Sequence, residues 1–235
     1  MSALHDHVAK DGFRLRGLAM SRIDGFSDVV FGFAITLLVV SLEVPHTFAE
    51  LNQSLRGFVP FAICFLMLIL IWYSHYKFFR RYGLHDLGTI ALNAALLFVV
   101  LFFVYPLKFL FTVLTTAWIT GDPAAYGIHQ MPRLMTLYGV GFTAVYWLFA
   151  ALYWNAWRNR RELGLNPLEL FITKSSIVEY LAMSSVGVLS IIIALTMPAN
   201  LGGLAGLTYM LLTIVGPIHG RWEHRRLKHF QLPRH

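Results

Sequence analysis

A hydroxyl, a carboxylate, an imidazole and an amide stand in otherwise apolar surroundings in this 235-residue chain: Ser27, Asp28, His75 and Asn93. An ionisable group inside hydrocarbon costs about 2.5–3.5 kcal/mol on insertion scales, so each such residue needs a partner or a task. These four side chains offer two kinds of chemistry. They can hydrogen-bond to one another and lock the segments that carry them, or they can hand protons along a line, and both readings stand.

A second set follows in the first apolar stretch. Val29, Phe33, Thr36, Val40 and Glu43 recur at spacings of four and three, which puts them on one stripe of a helix, with Gly25 and Gly32 flanking it. Such a stripe serves as a packing seam or as the lining of a pore. A hydroxyl midway and a carboxylate at one end are more than a seam requires.

The elements that position these residues follow from composition. The chain is 57% hydrophobic and 13% charged, a balance outside that of soluble domains. A bilayer takes about 20 apolar residues per helical crossing, and six stretches qualify: 24–44, 57–79, 87–113, 134–157, 177–197 and 201–220. Continuous apolar runs such as 61–73 and 94–105 exclude the alternating pattern of an outer-membrane barrel. The first run is too long for the core of a signal peptide and lacks its cleavage pattern. The fold expected is an all-α integral membrane protein: a segment 1–23, a membrane domain 24–220 and a basic tail 221–235. Pro106 is expected to bend the third helix.

Basic residues fix the orientation. Of the 19 Lys and Arg, all but Arg56, Lys108 and Arg133 precede helix 1, follow helix 6, or fall in the loops after helices 2 and 4. Positively charged loops stay in the cytoplasm, so both termini are expected there. The net charge of +7 is spread over every edge on that side, which points to anionic lipid headgroups and away from nucleic acid. With this topology, Asp28 lies roughly 9 Å into the membrane, His75 about 7 Å and Asn93 about 10 Å, at 1.5 Å per residue. All belong to one layer, with Arg22 at its rim. The lone cysteine, Cys64, permits no disulfide and no Cys-based metal site.

The stretch from Arg22 to Pro45, with Phe26-Ser27-Asp28 followed by an apolar run containing Thr36, resembles the first helix of the TMEM175-type potassium channels. Trp72 and His75 look like that family's second-helix pair, and Asn93 with Pro106 like its third-helix pattern. The resemblance extends over residues 22–107 and is only topological beyond. It implies a homotetramer in the cell membrane, with helix 1 of each subunit lining the pore. It also places Phe26 and Trp72 with Arg22, Ser27, Asp28, His75 and Asn93 in a structural network. No Thr-Val-Gly-Tyr-Gly filter is present. Selectivity in the family is attributed to apolar rings on helix 1, and the matching positions here are Phe33, where the family usually has Ile or Leu, and Thr36, near which potassium would pass in transit.

No cofactor and no fixed metal site are expected. The main alternative is a proton-conducting or proton-coupled protein using Asp28, His75 and Asn93. A membrane enzyme would need convergent catalytic groups; His75 and His219, both near the cytoplasmic side, are a conceivable haem or metal pair, but metal-ligand spacing such as His-Glu-x-x-His is missing.

Overall fold

The computed structural model describes residues 8–9, 11–40, 46–48, 50–51, 55, 57–120, 130–198 and 203–231. Five long helices account for most of them: α1 (Arg22–Val40), α2 (Phe58–Tyr82), α3 (Leu87–Thr120), α4 (Met131–Arg158) and α5 (Pro167–Thr196). Among the described residues these five are long and apolar enough to cross a membrane. Helix α3 continues without a break through Pro106.

The sixth expected stretch is a broken run: α6 (Leu204–Leu207), a 3-10 turn (Thr208–Leu211) and α7 (Leu212–Gln231). The interruption has a local cause. The carbonyl of Ala205 accepts from the hydroxyls of Ser190 at 3.0 Å and Thr208 at 2.7 Å, side-chain donors that compete with the helical ladder.

The most extensive helix pairing joins α4 to α5, where Gly139 and Gly187 face each other. A Cβ on either glycine would come within 3.2 Å of the other's carbonyl oxygen, so the absence of a side chain sets the approach. Helix α1 packs on α2 and α3 through Ser27, Phe31, Ala34 and Leu38, again at spacings of four and three.

Helix α5 begins ten residues earlier than its apolar run suggests. Asn166 and Glu169 form a reciprocal capping box, and Pro167 occupies the first turn. The same Glu169 carboxylate is fully buried and accepts from Arg14 and Arg16, with terminal nitrogens at 3.0 and 2.8 Å. These contacts pin residues 11–21, the segment leading into α1, beneath the bundle. Phe13 is buried against Tyr82, with the Arg81 guanidinium 5.0 Å from its ring centre. Three of the arginines assigned to the lipid-facing edge by charge alone, Arg14, Arg16 and Arg81, thus have carboxylate partners within the chain.

Ahead of α3, Asp86 accepts from Thr89 and Asn155. Burial alone would raise its pKa, but these hydrogen bonds together outweigh it and hold the carboxyl below its ordinary range.

Candidate functional site

The two faces of α1 define the site. On its packed face, Ser27, Asn93 and His75 are buried and joined in a line. The Ser27 hydroxyl donates to the carbonyl of Ile23 at 2.8 Å, so it must accept from Asn93 Nδ2, 3.0 Å away. That assignment turns Asn93 Oδ1 toward His75 Nε2 at 2.8 Å, and the imidazole nitrogen is then the donor. The His75 ring is further held between Phe31 and Phe79, with centroids 5.6 and 4.6 Å away.

Asp28 takes a different course. It is exposed, accepts from Trp72 Nε1 at 2.8 Å, and borders a cavity of about 220 Å³ that Asp24, His75 and Arg80 also line. Asp28 therefore lies outside the buried line, and no hydrogen bond among the described residues connects it to His75 or Asn93.

Arg22 and Phe26 are not brought into the network. Both are exposed, because positions 22 and 26 fall in helical register with 29, 33, 36 and 40. This second face is open along its whole described length: Phe26 is 62% exposed, Val29 70%, Phe33 56% and Val40 72%. Thr36 lies on it too, with its hydroxyl donating to the carbonyl of Gly32 at 2.9 Å. The donation fixes the hydroxyl proton toward the helix and leaves the oxygen's lone pairs directed away from it. Glu43, the expected end of the stripe, lies outside the described residues.

Gly32 adds a clue that residue type alone does not give. A Cβ built there meets nothing within 4 Å. Glycine in a helix interior costs about 1 kcal/mol relative to alanine, and no packing among the described residues requires it.

Sequence reasoning did not find Glu169 or its arginine partners, whose only local signal was the Asn166-x-x-Glu169 capping pattern.

Comparison with known proteins adds the following. A profile of the family described as "Endosomal/lysosomal potassium channel TMEM175" matches residues 22–104. A potassium channel of Marivirga tractuosa is 45% identical over 221 residues, 89% of this chain and 90% of the relative. Among solved structures, a variant of the potassium channel MtTMEM175 in complex with a Nanobody-MBP fusion protein aligns with a TM-score of 0.82 at 42% identity, covering 93% of this chain and 99% of that one. A lysosomal potassium-selective channel TMEM175 homolog from Chamaesiphon minutus aligns with a TM-score of 0.55 at 23% identity, over 84% of this chain and 96% of that one, a likeness of fold alone.

Proposed function

Because this chain belongs to the TMEM175 family of potassium channels, we propose that it is one subunit of a homotetrameric, potassium-selective channel of the cell membrane. The 24–220 domain supplies six spans, the last running through the broken α6–α7 stretch. Both the 1–23 segment and the 221–235 tail lie in the cytoplasm, where anionic headgroups meet the remaining basic residues.

The observation that carries this reading is the open face of α1. Exposure by itself also marks faces that meet lipid: on α3, Phe98, Phe102, Tyr105 and Phe109 form an exposed aromatic row. The α1 face differs in carrying Gly32 and a hydroxyl at Thr36, residues suited to close approach by a second copy and to contact with an ion. Four copies around an axis place Phe33 as the narrowest ring, dry when its side chains close and conducting when they swing aside or the helices spread. Val29 and Val40 line the pore on either side of it, and Glu43 raises the local concentration of cations at the outer mouth.

The proton-conducting alternative needs Asp28 in line with His75 and Asn93. The separate engagement of Asp28 by Trp72 favours the ion-channel reading.

Potassium flux into liposomes tests it. Phe33→Ala is expected to raise flux and to admit sodium more readily, at unchanged subunit stability. Unchanged flux in Phe33→Ala, together with flux lost on substitution of His75 or Asp28, would move conduction away from this face.

A further inference from the structure

Tyr73, Tyr76, Lys77 and Arg80 recur on one face of α2 near its C-terminal end. Together with Arg81 they line a cavity of about 390 Å³, and the segment around Asp11 forms the opposite wall. Three cations thus face one carboxylate.

That carboxylate is already engaged. Asp11 Oδ2 pairs with Arg81 Nη2, while Arg81 is 4% exposed and its other terminal nitrogen, Nη1, is buried without a hydrogen-bond partner among the described residues. A buried charged N–H without an acceptor is costly, and the planar guanidinium fork is built to meet two acceptors. Lys77 enters none of the ion pairs among the described residues. Arg80 lies over the Tyr76 ring, 5.9 Å from its centre, and among the described residues its hydrogen bonds go to the carbonyls of Gly17 and Leu18, at the long distances of 3.4 and 3.5 Å.

Two features oppose an anion here, and both are weaker than the three cations. The negative end of the α2 dipole, about half a charge, points this way, but the Arg80 carbonyl is capped by the N–H groups of Arg16 and Gly17 at 3.2 and 3.1 Å. Glu179 and Glu223 act on Lys77 electrostatically, yet neither lines the cavity. The pair of tyrosines beside the basic cluster is the composition of a membrane–water interface, where a headgroup lies.

We propose that this cavity is an anion site that takes a phosphate group, carried either by an anionic lipid headgroup or by a free phosphate. The proposal deepens the headgroup partnership stated above and rests on it only for lipid as the source. An occupant would touch both α2 and the segment that leads into α1, linking the cytoplasmic surface to the pore helix.

Native mass spectrometry of the full-length chain in detergent, with phosphatidylglycerol or phosphatidylcholine added, tests the lipid source. Thermal unfolding in inorganic phosphate against chloride at matched ionic strength tests the free anion. Retention of phosphatidylglycerol is expected to fall about tenfold in Lys77→Gln and in Arg80→Gln, as for loss of one charge-assisted hydrogen bond. It should return in Lys77→Arg and remain unchanged in Arg133→Gln, whose side chain is exposed near the start of α4 and away from the cytoplasmic set of basic residues.

If phosphate raises the unfolding temperature with that same pattern of variants, and lipid type makes no difference, the site stands with a free phosphate as its occupant. If Lys77→Gln and Arg80→Gln retain lipid and respond to phosphate as the unsubstituted protein does, the site is overturned while the general headgroup reading survives. If the unsubstituted chain retains phosphatidylglycerol no better than phosphatidylcholine and ignores phosphate, both fall.

Discussion

Helix α1 presents two faces of opposite character. The packed face holds a hydroxyl that an amide on α3 and an imidazole on α2 join in a closed line of hydrogen bonds. Beyond Arg22 at its start, the open face is apolar except for one hydroxyl, and none of the described residues covers it. A soluble helix would have the reverse arrangement, with apolar residues inward and polar residues outward. In a bilayer, a polar group can be satisfied only within protein or at a water-filled path. Polarity on the packed face therefore marks where the chain is held together, and the uncovered face, with its small and hydroxyl residues, is where the proposed channel would meet its own copies and the ion.

If this division holds, substitutions on the two faces should fail in different ways. The largest effect is expected from Asn93→Leu, which orphans both the His75 nitrogen and the Ser27 hydroxyl, at about 1–3 kcal/mol for each buried group. Thermal unfolding and folded yield in detergent should fall sharply, while protein that does fold keeps its ion preference. Normal stability with altered selectivity would place the conduction path on the packed face and erase the distinction. His75→Ala should follow at about half that loss.

Gly32→Leu comes next. Overpacking at a close contact costs about 1–3 kcal/mol, and in the proposed assembly that contact would be with another copy, since none of the described residues comes within 4 Å of a Cβ built at Gly32. Size-exclusion chromatography with light scattering should show loss of the tetramer at unchanged helicity. A stable tetramer would mean that this face does not approach its neighbour closely. Asp28→Asn should cost less than about 1 kcal/mol, since the amide oxygen can still accept from Trp72 and the position is exposed. A collapse in folded yield would bring Asp28 back into the structural lock.

The parts of this arrangement that were legible beforehand rest on periodicity and on depth. The stripe on α1 follows from spacings of four and three, and the meeting of Ser27, Asn93 and His75 follows from counting residues inward from charged helix ends. Regular helices preserve such arithmetic. Asp28 departed from it because one residue along a helix is a turn of about 100°, enough to direct its side chain away from Asn93 and toward Trp72. The anchoring of residues 11–21 was not legible, since a segment without periodicity is placed by partners some 150 residues away, Glu169 above all. The start of α5 is legible in the Asn166–Glu169 capping box but not in apolar length, because Glu169 and Lys174 interrupt the first ten residues of the helix. The break before α7 depends on two hydroxyls converging on one carbonyl, which no spacing reveals.

The finest test of the open face is Thr36→Val, which removes one oxygen and keeps the branched shape. Because the Thr36 proton is directed to the Gly32 carbonyl, the oxygen presents its lone pairs outward, the orientation a passing cation requires. The effect should nonetheless be small. In the proposed pore the chief barrier would be the apolar Phe33 ring, and a single hydroxyl per subunit would replace only part of an ion's water. A fall of about threefold in potassium-over-sodium permeability, roughly 0.7 kcal/mol, is expected from reversal potentials under bi-ionic conditions. Stability should be unchanged or slightly higher, since hydroxyl donation back to the helix is mildly destabilising. An unchanged reversal potential would take Thr36 out of the ion's path, and the distinction between the faces of α1 would then rest on Phe33 and Gly32, on exclusion and close approach rather than on coordination.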